Sequence, residues 1–438
     1  MDRDGFRGLL VHGYADQRRN RLYFTGRLED GRSFAIMESR WSPSFHIRKD
    51  AFDRCVPLLS SIKYECREGA LRAFPGRDPL VLLRFSRYGD RSAAFRILEN
   101  AGIPSPDGDM KPAEAFLAEH RIRLFAGIRG PSRPGRQVDL VFSDPELLPA
   151  EEAGIPGSVA GIPLRIASVD IETDTGDNSI RAIGYVFTDS NFTRPRGCVR
   201  VLSPGLAPAR ASTAGLVSAK PDEDSGGELF FHPDEDSLLR AFIGDVRAAD
   251  PDILTGWNFL DFDFPRLAER CERLGIPFAL GRSPEPAKFF AGSSAGEGRR
   301  SSAALVPGRQ VVDALRVIRS GPVRYPDYTL ETVAQSVLGE GKLLGPGGTP
   351  AGEADGKADG EVADRADGVT GGAGDAATAA PGIAGDAKVA ALDRLYRQDP
   401  EAFGRYCYTD AELVLRIFAK TGLFRLTIER AALTGVSA

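Results

Sequence analysis

The chain has 438 residues, 42% hydrophobic and 27% charged, with a formal net charge of −5. That length exceeds one ordinary hydrophobic core and sets two or three domains as the expectation, with the composition of a soluble globular protein. No apolar run approaches the roughly 20 residues a membrane helix needs, and the opening MDRDGFRG has no apolar signal segment, so a cytoplasmic protein with no membrane partner is expected.

From the N-terminus, RLYFTGRLEDGRSFAIMES gives two alternating apolar runs around Asp30 and Gly31, the pattern of a β-hairpin. Short helical patterns follow at 92–100 and 113–120, so residues 1–150 read as a small α+β unit. SDPELLPAEEAGIPGS, punctuated by Pro and Gly, reads as a connector into a second unit, 151–438. The expected strands there are LRIASVDIE, IRAIGYVFTD and GCVRVL, with DTGDNS as the turn between the first two. A helix over 236–249 rests on Leu238, Leu239, Phe242, Ile243 and Val246 at helical spacing. DILTGW reads as a short strand, and FPRLAERCERLG as a helix with Pro265 in its first turn and Gly275 at its end. Strands alternating with helices after an antiparallel start predict a mixed sheet flanked by helices, an α/β (α+β) class.

Segment 345–388 is Gly/Ala-rich and nearly without large apolar groups, so it is expected to be a disordered insert in a surface loop. It holds eight acids and three bases, which leaves the rest of the chain neutral and Arg-rich. Net charge therefore does not exclude a nucleic-acid partner. The last pattern, from 400 to about 424, is a long amphipathic helix carried by Phe403, Leu413, Val414, Ile417 and Phe418.

Five scattered cysteines with no C-x-x-C pair and four dispersed histidines leave little material for a disulfide framework, a zinc knuckle or a histidine triad. Carboxylates are the candidates instead. The stretch LRIASVDIETDT ends an apolar run in Asp170, Glu172 and Asp174, charges that are costly to bury without partners. Asp170 and Glu172 share one strand face, about 7 Å apart, either as oxygen ligands for a divalent cation or as solvated acids before a turn. In DILTGWNFLDFDFPRL, Asp263 sits at the entrance of a helix; an acid capping that helix is the alternative, and it suits Asp261 better. In RYCYTDAELVLRIF, Tyr406 and Asp410 are four apart on one helix face, either converging on the same cluster or as a core tyrosine and a solvated aspartate.

Together and in this order, D-x-E on a first strand, N-x-x-x-F-D after a later strand and Y-x-x-x-D on a final helix resemble the three exonuclease motifs of family B DNA polymerases. GRQVVDALRVIRSGPVRYPDYTLETVAQSVLGEGK is similar to the family's linking segment and PSFHIRKD to its N-terminal domain, with bacterial DNA polymerase II as the most similar subgroup. The resemblance implies a ribonuclease H-like 3′–5′ exonuclease domain with a smaller N-terminal α+β domain, covering the chain except the acidic insert. It implies that Asp170, Glu172, Asp263 and Asp410 bind two Mg²⁺ (or Mn²⁺), that Tyr406 orients the attacking water, and that Asn258, Trp257 and Phe262 lie near the primer strand. Asp174 has no role in the motif and is expected to be a solvated turn residue.

The family's palm motifs, D-x-x-S-L-Y-P and D-T-D, are not found before LTIERAALTGVSA, so an N-terminal and exonuclease fragment that does not itself polymerise is expected. The implied activity is hydrolysis of the 3′-terminal phosphodiester of single-stranded or frayed DNA, releasing a nucleoside monophosphate, as in proofreading during replication or repair. Implied partners are DNA, the polymerase domain and a sliding clamp, in a bacterial cytoplasm near the nucleoid. Two other readings stay open: a free-standing 3′–5′ exonuclease of the same fold, and a DNA-binding module inactive without the polymerase half.

Overall fold

In a computed structural model of the chain, the structure describes residues 5–150, 152, 161–193, 195–204, 227–292, 301–341 and 383–435. The N-terminal part is built on two sheets. In the seven-stranded sheet, Phe6–Asp16 lies between Phe125–Arg129 and Arg21–Leu28, and Arg21–Leu28 pairs with Ser33–Glu38 across the expected turn. Helix Pro112–Glu119 packs Ala113, Phe116 and Leu117 onto this sheet against Leu10, Leu22 and Phe24. The three-stranded sheet (Ser44–Arg48, Asp78–Phe85, Tyr64–Ala73) packs on helix Tyr88–Asn100 through Phe45, Leu83, Phe85, Ala94 and Leu98. That helix starts one turn before its apolar pattern, because Tyr88 and Arg91 open its buried stripe and an arginine does not register as apolar. The expected connector begins as a strand: Glu146–Pro149 pairs with Phe125–Arg129, while residues 151 and 153–160 lie outside the described residues.

The second sheet has six strands in the order Glu228–His232, Arg196–Leu202, Ile180–Asp189, Arg165–Thr173, Ile253–Gly256 and Gln310–Asp313. Arg165–Thr173 is central, antiparallel to Ile180–Asp189 and parallel to Ile253–Gly256. Its side chains alternate between two cores. Ile166 joins Phe403, Cys407 and Val414 beneath the long C-terminal helix, while Ala167, Val169 and Ile171 join Leu239, Phe242 and Phe264 beneath helices Glu235–Ala249 and Asp263–Arg273. Burial on both faces is why this strand reads as a near-continuous apolar run.

The long helix Pro400–Thr421 opens with Pro400 in its first turn and with the Asp399 side chain accepting the Ala402 N–H at 2.9 Å. It stops at Gly422, whose φ of +67° closes the C-terminus, so the apolar pattern runs on into a separate helix, Leu423–Thr434. The helix crosses Ile180–Asp189 so closely that a Cβ on Gly184 would lie 2.5 Å from the Cys407 carbonyl oxygen. Residues 345–382 of the expected insert lie outside the described residues, and helix Ile383–Gln398 begins within the stretch expected to belong to it.

A buried ionic cluster ties the two parts together. Asp252, just ahead of strand Ile253–Gly256, accepts from Arg27 Nε at 2.5 Å, Arg282 Nη2 at 2.7 Å and the Arg165 N–H at 2.8 Å. Asp250 accepts from Arg282 Nε at 2.7 Å and Arg309 Nη1 at 3.0 Å. A side chain of the N-terminal sheet thus meets the same carboxylate that holds the start of the central strand. Among the described residues, no helix is long and apolar enough to cross a membrane.

Candidate active site

The central strand outruns its parallel neighbour, since their pairing ends at Ser168 and Thr255. Beyond that point Asp170 and Glu172, two apart, project to the face beneath the long helix. Asp410 reaches the same place from the helix, one turn after Tyr406, and both are buried. One carboxylate oxygen from each of Asp170, Glu172 and Asp410 lies within 4.8 Å of the other two. Asp170 and Glu172 remain half-buried, so the trio keeps an opening to solvent.

Asp263 stands beside this trio rather than within it. It is the first residue of helix Asp263–Arg273 and is buried, and its Oδ1 accepts the Ile171 N–H at 3.1 Å. It therefore serves as a sheet partner for the residue between the two strand acids, where the ladder has ended. Burial pushes its carboxyl well above the usual carboxylate range, and the charges of Glu172 and Asp313 push the same way against the pull of the Ile171 N–H. The donor set is all carboxylate oxygen and partly open, as hard divalent cations prefer, and three like charges this close need positive charge to offset them. The residues fit Mg²⁺ or Mn²⁺.

The turn from Trp257 to Phe262 leads into Asp263. Asn258 holds a left-handed backbone, φ +58°, which asparagine tolerates better than most residues. Its carbonyl accepts the N–H groups of Asp261 at 3.1 Å and Phe262 at 3.0 Å. Trp257 is half-buried and donates its indole N–H to the Tyr328 carbonyl at 3.2 Å, whereas Phe262 is exposed. Asp261 does not cap the helix. Its carboxylate pairs with Arg316 at 3.0 and 3.1 Å, and the cap position is Phe262 with no side-chain bond.

Two residues at the site carried no sequence signal of their own. Asp313 caps helix Ala314–Ser320 through the Arg316 N–H at 3.1 Å, and its other oxygen accepts the Leu260 N–H at 2.9 Å. Cys407 accepts the Gly184 N–H at 3.1 Å and places its Sγ 3.7 Å from Asp170 Oδ2. Burial, and then the charges of Asp170, Glu172 and Asp410, push this thiol well above its ordinary range, so it stays protonated at neutral pH. Its position three residues before Asp410, on the same helix face, is the pattern that could have drawn attention to it.

Asp174 is more than a solvated turn residue. Its Oδ1 accepts the N–H groups of Gly176 at 2.7 Å and Asp177 at 3.3 Å, and it pairs with Arg181. The Gly176 N–H foremost, with Asp177 and Arg181, holds its carboxyl below the usual range. Arg181 also pairs with Asp393 on helix Ile383–Gln398 and lies 4.7 Å from the Tyr396 ring centre, linking that helix to the end of the central strand.

The chain is 26% identical over 368 residues to DNA polymerase II of Escherichia coli K12, an alignment covering 82% of this chain and 38% of that protein. It is 39% identical over 108 residues to a DNA polymerase of Thermococcus kodakarensis, covering 25% of this chain and 6% of the relative. The chain thus spans well under half the length of the curated relatives it matches. The structure of the family B DNA polymerase from Pyrobaculum calidifontis superposes with a TM-score of 0.51 at 19% identity, covering 75% of this chain and 39% of that one. The six-stranded sheet with its flanking helices is accordingly the ribonuclease H-like fold of that polymerase's exonuclease domain. The model of the family described as "DNA polymerase family B, exonuclease domain" matches residues 109–333, which takes in Asp170, Glu172 and Asp263, begins inside the N-terminal part and stops short of Asp410. With that match running over more than half its length, the chain belongs to the exonuclease-domain family of the family B DNA polymerases.

Proposed function

We propose that this chain is the editing portion of a family B DNA polymerase, a 3′–5′ exonuclease that hydrolyses the terminal phosphodiester of single-stranded or frayed DNA. The observation that carries the reading is the meeting of Asp170, Glu172 and Asp410, from one strand end and one helix, within 4.8 Å of one another. In this reading Asp170, Glu172, Asp263 and Asp410 hold two Mg²⁺ or Mn²⁺. Bound there, such cations supply Lewis-acid stabilisation of the charge that builds on the phosphate and ease the ionisation of water.

The side chains divide the remaining work. Asp410 and the strand acids set the negative cradle, and Asp263 anchors its helix to the strand through Ile171. Tyr406 orients the attacking water; with a phenol's ordinary pKa of about 10 it is a poor proton acceptor at neutral pH. Asn258, Trp257 and Phe262 contact the DNA end, Phe262 being the exposed ring of the three. The division of the chain near residue 150 into an N-terminal and an exonuclease domain, a polymerase domain and sliding clamp as partners, and a cytoplasmic, nucleoid-associated setting belong to the same proposal.

The test uses a 5′-labelled single-stranded oligonucleotide. The expected product is a ladder shortening one nucleotide at a time from the 3′ end in Mg²⁺ or Mn²⁺, arrested by chelation. Internal cuts, or removal of nucleotides from the 5′ end, would contradict the proposal.

A further inference from the structure

We propose that the tip of the hairpin joining Tyr64–Ala73 to Asp78–Phe85 is a docking point for single-stranded DNA, with Phe74 stacking on a base and Arg72 and Arg77 holding phosphates. The tip is closed by the Arg77 N–H donating to the Ala73 carbonyl at 2.8 Å and stands on the three-stranded sheet. At its apex Phe74 is 97% exposed and nearby Leu71 is 59% exposed, so none of the described residues covers the ring.

The acids around the tip are engaged by other cations. In this sheet and its flanks Arg67 pairs with Glu65, Lys49 with Glu68, and Arg48 with Asp50 and Asp78, while Arg84 pairs with Glu119. The nearby acids are thereby taken. Among the described residues Arg72 and Arg77 form no ion pair, although Glu68, itself paired with Lys49, lies within electrostatic reach of Arg72, so two exposed cations stand beside an exposed ring. An aromatic face flanked by cations matches an unpaired base and its phosphates. A duplex, with its bases already stacked, offers the ring nothing, and a protein partner would call for a wider apolar patch than one tip provides.

The choice of DNA as the polymer rests on the proposed nuclease function, so binding and hydrolysis are read separately. The full chain is titrated into a labelled oligothymidylate of about 16 nucleotides with metal chelated, across about 50 to 200 mM salt. Phe74→Ala weakens binding about tenfold with the salt slope unchanged, and Phe74→Tyr restores it. Arg72→Ala with Arg77→Ala lowers the slope of log K against log salt by about 1.4, the value for two single-strand phosphate contacts. Hydrolysis of a dinucleotide, too short to span both sites, is the same in Phe74→Ala as in the unaltered chain. Should the unaltered chain degrade neither the dinucleotide nor a single-stranded oligonucleotide in Mg²⁺, the nuclease reading fails while the binding result still decides the hairpin. Binding by Phe74→Ala within twofold of the unaltered chain would overturn the proposal. Self-association in sedimentation that Phe74→Ala abolishes would also overturn it, assigning the tip to a second copy of the chain.

Discussion

Asp313 accepts the Leu260 N–H and caps its own helix, so one carboxylate holds the turn that delivers Asp263. Replacing it by alanine leaves a buried N–H without an acceptor, which costs about 1–3 kcal/mol. We expect Asp313→Ala to lower the denaturation midpoint by that amount and to slow hydrolysis. Asp313→Asn, which keeps one acceptor oxygen, recovers part of both; equal losses in the two variants would show that the acceptor is not what matters. The residues of this site were unevenly visible in the sequence. Asp170 and Glu172 announce themselves because acids ending an apolar run need compensation. Asp263 and Asp410 pass locally for ordinary helix residues, and only their spacing relative to the strand acids matches a family pattern. Asp313 could not be found that way, because the N–H it serves lies 53 residues back and a lone polar residue before a helix reads simply as a cap. Asp174 is the expected turn residue, partly exposed, but its pairing with Arg181 across the turn has no mark in the local pattern.

Elements with one buried stripe were readable, as the long helix shows through Phe403, Val414, Ile417 and Phe418. Their ends and contacts were less so. The apolar pattern runs through Gly422 without a break, and only the left-handed backbone there separates the two helices. Closeness between elements is similarly silent in the pattern. Gly184 is the contact that lets the long helix lie on its strand, with room for no Cβ beside the Cys407 carbonyl. Gly184→Ala should cost about 1–3 kcal/mol as overpacking and displace the helix that carries Tyr406 and Asp410. The expected result is a lower denaturation midpoint together with slower single-strand degradation. A stability loss with hydrolysis unaltered would mean that helix placement does not govern the site.

At the scale of the whole chain, composition and punctuation lead one to expect a division near residue 150, but they do not reveal the bond between the parts. Arg27 lies in a strand of the N-terminal sheet and Asp252 at the foot of the other sheet, and in the sequence each passes for a surface charge. Removing one partner of so buried a pair is expected to cost about 3–5 kcal/mol, so Arg27→Ala should unfold at markedly lower denaturant. Asp250 gives the pH dependence. Burial raises its carboxyl, but Arg282, Arg309 and Arg27 outweigh burial and hold it below its ordinary value. Its contribution is therefore complete above the unfolded value near 4 and is lost as pH falls through the lower folded value. Acid unfolding should begin at a higher pH in Arg27→Ala, and an unchanged acid midpoint would remove this cluster from the account. The proposed role of Asp170 and Glu172 is to hold the metal for hydrolysis. It is tested most directly by the rate at which Asp170→Ala with Glu172→Ala releases nucleoside monophosphates from a single-stranded oligonucleotide in Mg²⁺. With several kcal/mol of transition-state stabilisation removed, that rate should fall about a thousandfold or more while the denaturation midpoint is retained. A rate within tenfold of the unaltered chain would contradict it.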